Sequence, residues 1–304
     1  MEKGLKSVGT PLFLLGATST GKSDVALELA RQMNAAILTL DAMQVYRGAD
    51  IGTSKPTAAE RGEIPHGGLD LVEFGATFDV ARYLEHAARF LREQREAGRR
   101  VIVVGGTGLY FRALTRGFCG APQGSLELRC ELNQLGVREL RERLARVDPL
   151  MLPRLDASNP RRLARAIEVM EASGRSLAEW QAATPAALVG TYEAFWLQRE
   201  KEDLQDRMAR RLEAMLTGGW VEEVRELIVR AGAEAVRDFP AIGYQEIGEM
   251  LAGRASTASV RREILLATRQ YAKRQLTWFN REPNLKKVML SGLQSLPTAL
   301  VNLL

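Results

Sequence analysis

Three short apolar runs, each stopping at a glycine or an aspartate, organise the first third of the chain. Residues 11–15 (PLFLL) stop at Gly16, AAILTL stops at Asp41, and VIVV at 101–104 stops at Gly105-Gly106. None alternates with polar residues, so each reads as a strand buried on both faces, as in a parallel sheet covered by helices. Between the first two, VALELARQM places Val25, Leu29 and Met33 at helical spacing, giving strand, loop, helix, strand. The alternation predicts a doubly wound α/β core, a parallel sheet flanked by helices. Ligands gather outside the carboxyl ends of the strands in such sheets, where Gly16, Asp41 and the turn 105–107 all fall.

From about residue 118 the texture changes to an Arg-rich, helix-favouring stretch punctuated by CGAPQGS, Asp148-Pro149 and Asn159-Pro160. It predicts an inserted, mostly helical subdomain over 118–196, with residues 1–117 and 197–304 forming the core. Within it Asn159 is placed to cap a helix, Pro160 to open it and Gly174 to follow its end. Arg161, Arg162 and Arg165 fall on the first turns, either as a solvated face or as phosphate contacts. Two long helical patterns follow, at about 200–231 and 257–280, separated by a loop containing FPAIGYQE. In the second, Arg262, Arg269 and Lys273 share one face, while Ile264, Ala267, Tyr271 and Trp278 share the other. Trp278 and Phe279 read as core rather than as base-stacking platforms.

Composition narrows the class. With 46% hydrophobic and 26% charged residues the chain has the make-up of a soluble globular protein, and no apolar run approaches the roughly 20 residues that span a bilayer. The opening MEKGLKSVGT leads into a short run ending in glycine, without the longer apolar segment of a signal peptide. Cys119, Cys130, His66 and His86 are the only cysteines and histidines, too few for a disulfide framework or a Cys/His zinc site. A reducing cytoplasm fits. A net charge of +5 and a pI near 9.3 are compatible with a polyanionic partner without requiring one.

The chemistry concentrates in Gly16-Ala17-Thr18-Ser19-Thr20-Gly21-Lys22-Ser23, which matches G-x-x-x-x-G-K-[ST] between a predicted strand and a predicted helix. Glycines let the backbone wrap a phosphate, successive amides and the helix N-terminus supply donors, and Lys22 adds a point charge. Ser23 is the residue placed to help hold Mg²⁺. Asp41, at the end of the second strand, is either a turn carboxylate or one that reaches a ligand lying on the loop. Gly105-Gly106-Thr107-Gly108 allows close backbone approach and exposes the Thr107 hydroxyl at the same sheet edge.

Six segments taken together, GATSTGKS, DAMQVYRGADIGTSKP, GGTGLYFRAL, RRLARAIEV, AIGYQE and TRQYAKRQLTWF, resemble the tRNA dimethylallyltransferases in order and over nearly the whole length. The chain departs from that pattern at Ala42, where the family usually has serine, at His66-Gly67 for His-His, and at Ser158-Asn159 for Asn-Asp. The resemblance implies transfer of a dimethylallyl group from dimethylallyl diphosphate to the exocyclic amine of the adenosine just 3′ of the anticodon. It further implies Asp41 as base with Thr107 beside the reacting centre, and Gly16 to Ser23 on the diphosphate with Mg²⁺. Asp41, Ala42, Met43 and Gln44 would touch the extruded base, and Arg129 with Arg161, Arg162, Leu163, Ala164 and Arg165 the tRNA anticodon arm. A cytoplasmic monomer without ATP hydrolysis is expected. The rivals are a P-loop kinase of a nucleotide or small metabolite, a prenyltransferase acting on AMP, and a noncatalytic RNA-binding module.

Overall fold

The computed structural model describes residues 10–290; the N-terminal segment read above against a signal peptide, up to residue 9, lies outside them. The three expected strands form, as β1 (Leu12–Gly16), β2 (Ala36–Leu40) and β4 (Val101–Gly105). Every residue in all three is buried, as uninterrupted apolar runs require of strands covered on both faces. Three more join them: β3 (His66–Gly67), β5 (Glu193–Gln198) and β6 (Lys286–Met289). The order is β3-β2-β4-β1-β5-β6 and every pairing is parallel. β1 pairs with β4 on one side and β5 on the other, so the chain's first loop leaves the middle of the sheet.

The chain forms two compact units, one of residues 1–112 and 189–304 and the other of residues 113–188. The expected insertion boundary at 196 is corrected by β5, whose residues 193–196 pair with β1 as part of the sheet. Its buried Ala194-Phe195-Trp196-Leu197 run is only four residues long, bounded by half-buried Glu193 and Gln198. The second unit packs Leu132, Leu140, Leu144, Leu163 and Ile167 into a core of its own. Its helix Pro160–Ser173 is capped as the sequence predicts: Asn159 accepts from the Arg162 N–H, Pro160 opens the helix, and Gly174 ends it in the left-handed region.

The pattern expected as one helix over 200–231 divides into Lys201–Thr217 and Trp220–Ala231. Gly218-Gly219 interrupts it, since two successive glycines are the weakest interior helix formers short of proline. The break lets Trp220 turn into a core with Tyr46, Phe239 and Tyr244. The last pattern is one helix, Thr257–Asn280, with Val260, Ile264, Ala272, Gln275 and Phe279 buried and Arg262, Arg269 and Lys273 exposed. Phe279 is core, as read from the sequence, and Trp278 is half-buried under the Arg112 guanidinium.

The loop from β2 to β3 is held as one rigid piece. The buried Lys55 ammonium donates to Tyr46 O at 2.7 Å, Asp50 Oδ1 at 2.5 Å and Asp70 Oδ1 at 2.6 Å. Glu223 accepts the N–H groups of Asp50, Ile51 and Gly52 together with the Tyr244 hydroxyl. At Gly67, one of the departures from the family pattern, a Cβ would stand 2.8 Å from the Phe90 ring, so a side chain there would require the ring to shift.

Candidate active site

The loop Gly16–Ser23 leaves β1 and enters the helix Lys22–Met33, whose cap residue Gly21 provides no side-chain cap bond. The N–H groups of the first turn are therefore open to an anion, at the positive end of the helix dipole. Thr20 turns inward, its Oγ1 donating to Ala17 O at 2.9 Å. Lys22 folds back over the loop, its Nζ donating to Ala17 O at 3.1 Å. Ser23 is exposed beside it.

Asp41 stands two strands away, at the end of β2, with β4 between. Its Oδ1 accepts the Met43 N–H at 2.7 Å and the Gln44 N–H at 3.4 Å, so it is a turn residue, and the second carboxylate oxygen remains for other work. Desolvation raises its pKa. The Met43 N–H, Lys22, the Gln44 N–H and Arg211 work in the opposite direction. Lys22 is brought down to about 8, first by burial, then by repulsion from Arg211, with Asp41 pulling it back up. Burial also lowers Arg211, with Asp41 and Asp24 opposing. Asp41, Lys22 and Arg211 thus share one electrostatic pocket. Burial raises the phenols of Tyr83, Tyr110 and Tyr271, and in each Asp41 adds to the rise, so all three stand near its carboxylate.

Gln275 joins this loop to the β4 turn. Its Oε1 accepts the Thr18 N–H at 2.8 Å and its Nε2 donates to Gly106 O at 3.0 Å. Thr107 follows at once, its N–H donating to Leu40 O at 3.3 Å next to Asp41. The ends of β1, β2 and β4 therefore carry the phosphate loop, Asp41 and Thr107 into one crevice. Gln275→Leu would leave Thr18 N–H and Gly106 C=O without partners, and urea unfolding should show a loss of about 2–4 kcal/mol.

Comparison with known proteins fits this geometry. The family model described as IPP transferase matches residues 44–282, and one described as isopentenyl transferase matches residues 11–65. The tRNA dimethylallyltransferase of Methylacidiphilum infernorum is 44% identical over 281 residues, covering 92% of this chain and 85% of that protein. The chain belongs to the IPP transferase family. The tRNA dimethylallyltransferase of Geobacter metallireducens is 42% identical over 283 residues, covering 91% of each protein. Among solved structures, the tRNA isopentenylpyrophosphate transferase of Bacillus halodurans superposes with a TM-score of 0.67 at 32% identity, covering 92% of this chain and 89% of that one.

Several residues that the family resemblance assigned to RNA have other positions here. Leu163 is fully buried in the core of the second unit, so its side chain is corrected from an RNA contact to a core residue. Arg165 is half-buried, and its fork donates to Ala121 O, Pro122 O and Glu168 Oε2, pinning the loop before helix Leu126–Gln134. Arg161 and Arg162 are exposed, and Ala164 is half-buried. Arg129 is half-buried, reaching Gln123 Oε1 at 3.4 Å, and its Nε is buried without a partner. Gln44 spends its amide donors on Thr53 O and Ser54 O, which leaves its Oε1 for a ligand. Ala42 and Met43 are half-buried beside it.

Sequence reasoning missed Arg211, Tyr271 and Gln275, and with them Arg199 and Arg207. The available signal was spacing: Arg207 and Arg211 stand four residues apart on Lys201–Thr217, along a stripe that adjoins the buried Leu204, Met208 and Leu212. Among the described residues, no group of three or more His, Cys, Asp or Glu side chains could hold a metal ion. The exposed Ser23 hydroxyl is the loop residue that would serve as a protein ligand to a Mg²⁺ ion. No described helix is long and apolar enough to cross a membrane.

Proposed function

We propose that this protein transfers the dimethylallyl group of dimethylallyl diphosphate to the exocyclic amine of the adenosine 3′ of the anticodon in tRNA, in the cytoplasm, releasing diphosphate. The observation that carries the reading is geometric: the end of β2 presents the Asp41 carboxylate at the same sheet edge as the phosphate-binding loop, over which Lys22 is folded. A kinase needs the loop for a nucleoside triphosphate. A prenyl transfer needs the same cradle for a leaving diphosphate and, beside it, a base for the acceptor.

In the reaction the allylic C–O bond breaks and an N–C bond forms. The electron pair of the broken bond leaves with the diphosphate. Lys22 and the N–H groups of the loop and first helical turn face that developing charge without having to reorganise, which is where such donors contribute most to rate. Ser23 would help hold a Mg²⁺ ion, which would supply further charge neutralisation when bound. The acceptor amine is a weak nucleophile because its lone pair is delocalised into the purine, and Asp41 takes its proton as the bond forms. A carboxylate whose pKa is raised by burial is the stronger base for that step. The Thr107 hydroxyl orients the amine or contacts the leaving oxygen.

The adenosine has to leave its stack to enter such a site, and the half-buried segment Asp41 to Gln44 offers it edges to bind. Arg129 and the exposed Arg161 and Arg162 of the second unit supply contacts to the anticodon arm. The test is incubation with donor labelled in the prenyl carbon, offering unmodified tRNA and AMP side by side, followed by nucleoside analysis. Label in the adenosine next to the anticodon is the expected result. Label only in AMP, or none in RNA, would overturn the proposal.

A further inference from the structure

We propose that Arg199 and Arg207 are positioning residues that hold the phosphate loop in its anion-binding conformation, an inference that rests on reading this loop as the donor's cradle. Arg199 Nε donates to Thr20 O at 2.7 Å, and Arg207 Nε donates to Ser19 O at 2.9 Å. These are consecutive carbonyls at the tip of the loop. The described residues contain no cis peptide, and in a trans peptide the N–H points opposite to the carbonyl. Two carbonyls fixed on the outside therefore fix the Thr20 and Gly21 N–H groups on the inside. The first closes the turn onto Ala17 O at 3.4 Å, which leaves the second as the donor for the cradle.

The guanidiniums also cover the outer surface of the loop. A Cβ at Gly21 would stand 3.3 Å from Arg207 Nη2 and 3.5 Å from Arg199 Nη2, and the φ of +89° at this residue suits glycine alone. Neither arginine is an unconstrained surface cation. The Arg199 side chain is 6% exposed and paired with Asp203 at 2.8 Å. Burial, and then the neighbouring Arg199, push the Arg207 guanidinium below its ordinary value, so placing the two cations side by side has an energetic cost. Their carbonyl contacts give that placement a purpose. A cation on the carbonyl end of a peptide polarises its N–H end, strengthening the donor that meets the diphosphate, and Ser19, held at φ +63°, is kept in the left-handed shape that a curled anion nest needs.

The test uses the full-length protein and inorganic pyrophosphate as probe, titrated calorimetrically into wild type, Arg207→Gln and Arg207→Lys. Tight binding by wild type with an approximately tenfold weaker Kd in Arg207→Gln is expected, since a charge-assisted hydrogen bond is lost. The KM for dimethylallyl diphosphate should rise in parallel, while tRNA affinity and thermal midpoint stay within error of wild type. Arg207→Lys, which keeps one donor but not the fork, should recover part of the loss. A wild-type Kd in Arg207→Gln would overturn the positioning role and leave the proposed reaction standing. Failure of the wild-type protein itself to bind pyrophosphate would overturn the cradle reading and this inference together. If Arg207→Gln unfolds, Arg207→Lys decides: an intermediate Kd supports the role and an unchanged one refutes it.

Discussion

Asp41→Asn is expected to lower the single-turnover rate of prenyl transfer by roughly 10²–10⁴-fold, the usual contribution of a positioned general base, with tRNA affinity unchanged. Asparagine keeps a carbonyl oxygen for the Met43 and Gln44 N–H groups, so the turn that presents residues 41–44 persists. Rapid-quench kinetics at saturating tRNA, with affinity measured by filter binding on the same preparation, separates chemistry from recognition. The loss should fall chiefly on the chemical step, because the isosteric substitution removes one half-buried negative charge and leaves the exposed Arg161 and Arg162 untouched. A rate within a fewfold of wild type would remove Asp41 from the mechanism.

Lys22→Met should be as damaging by a different route. It removes the cation nearest the leaving diphosphate, and a single lost donor to developing charge typically costs about 10²–10³-fold in rate. It also removes one of the charges that hold the Asp41 pKa down, so the base becomes harder to ionise. The wild-type pH profile reports on the same lysine. With Lys22 at about 8 in the free protein, its ammonium is present below that pH and lost above it, so kcat/KM should fall as pH rises through about 8. Asp41 is what pulls the Lys22 value upward. In Asp41→Asn the falling limb should therefore move to lower pH in whatever activity remains. A limb that stays in place would mean that the two groups are not coupled.

The parts of this fold legible in the sequence were those with strong local signatures. β1, β2 and β4 carry uninterrupted apolar runs, and the capping of Pro160–Ser173 is written in Asn159, Pro160 and Gly174. The missed strands have weak local patterns for physical reasons. β3 is two residues long, β6 is a sheet edge with only Val288 buried and two lysines exposed, and β5 carries a four-residue apolar core whose pairing with β1 is non-local. Site residues divide the same way. Gly16 to Ser23 follow from a contiguous motif, whereas Arg199, Arg207, Arg211 and Gln275 come to the loop from more than 170 positions away. Leu163 shows the opposite error. A segment assigned to RNA by resemblance alternates between core and surface as a helix must, so its inward members serve packing and its outward members remain for a ligand.

The most direct test of a carbon-transferring phosphate loop is to follow both products in the absence of any nucleoside triphosphate. Purified protein, unmodified tRNA, Mg²⁺ and dimethylallyl diphosphate labelled in the prenyl group should give labelled tRNA and diphosphate in equal amounts, with neither the rate nor the yield changed by adding ATP. RNA that stays unlabelled unless ATP is present, or a terminal phosphate of ATP appearing in the product, would contradict it.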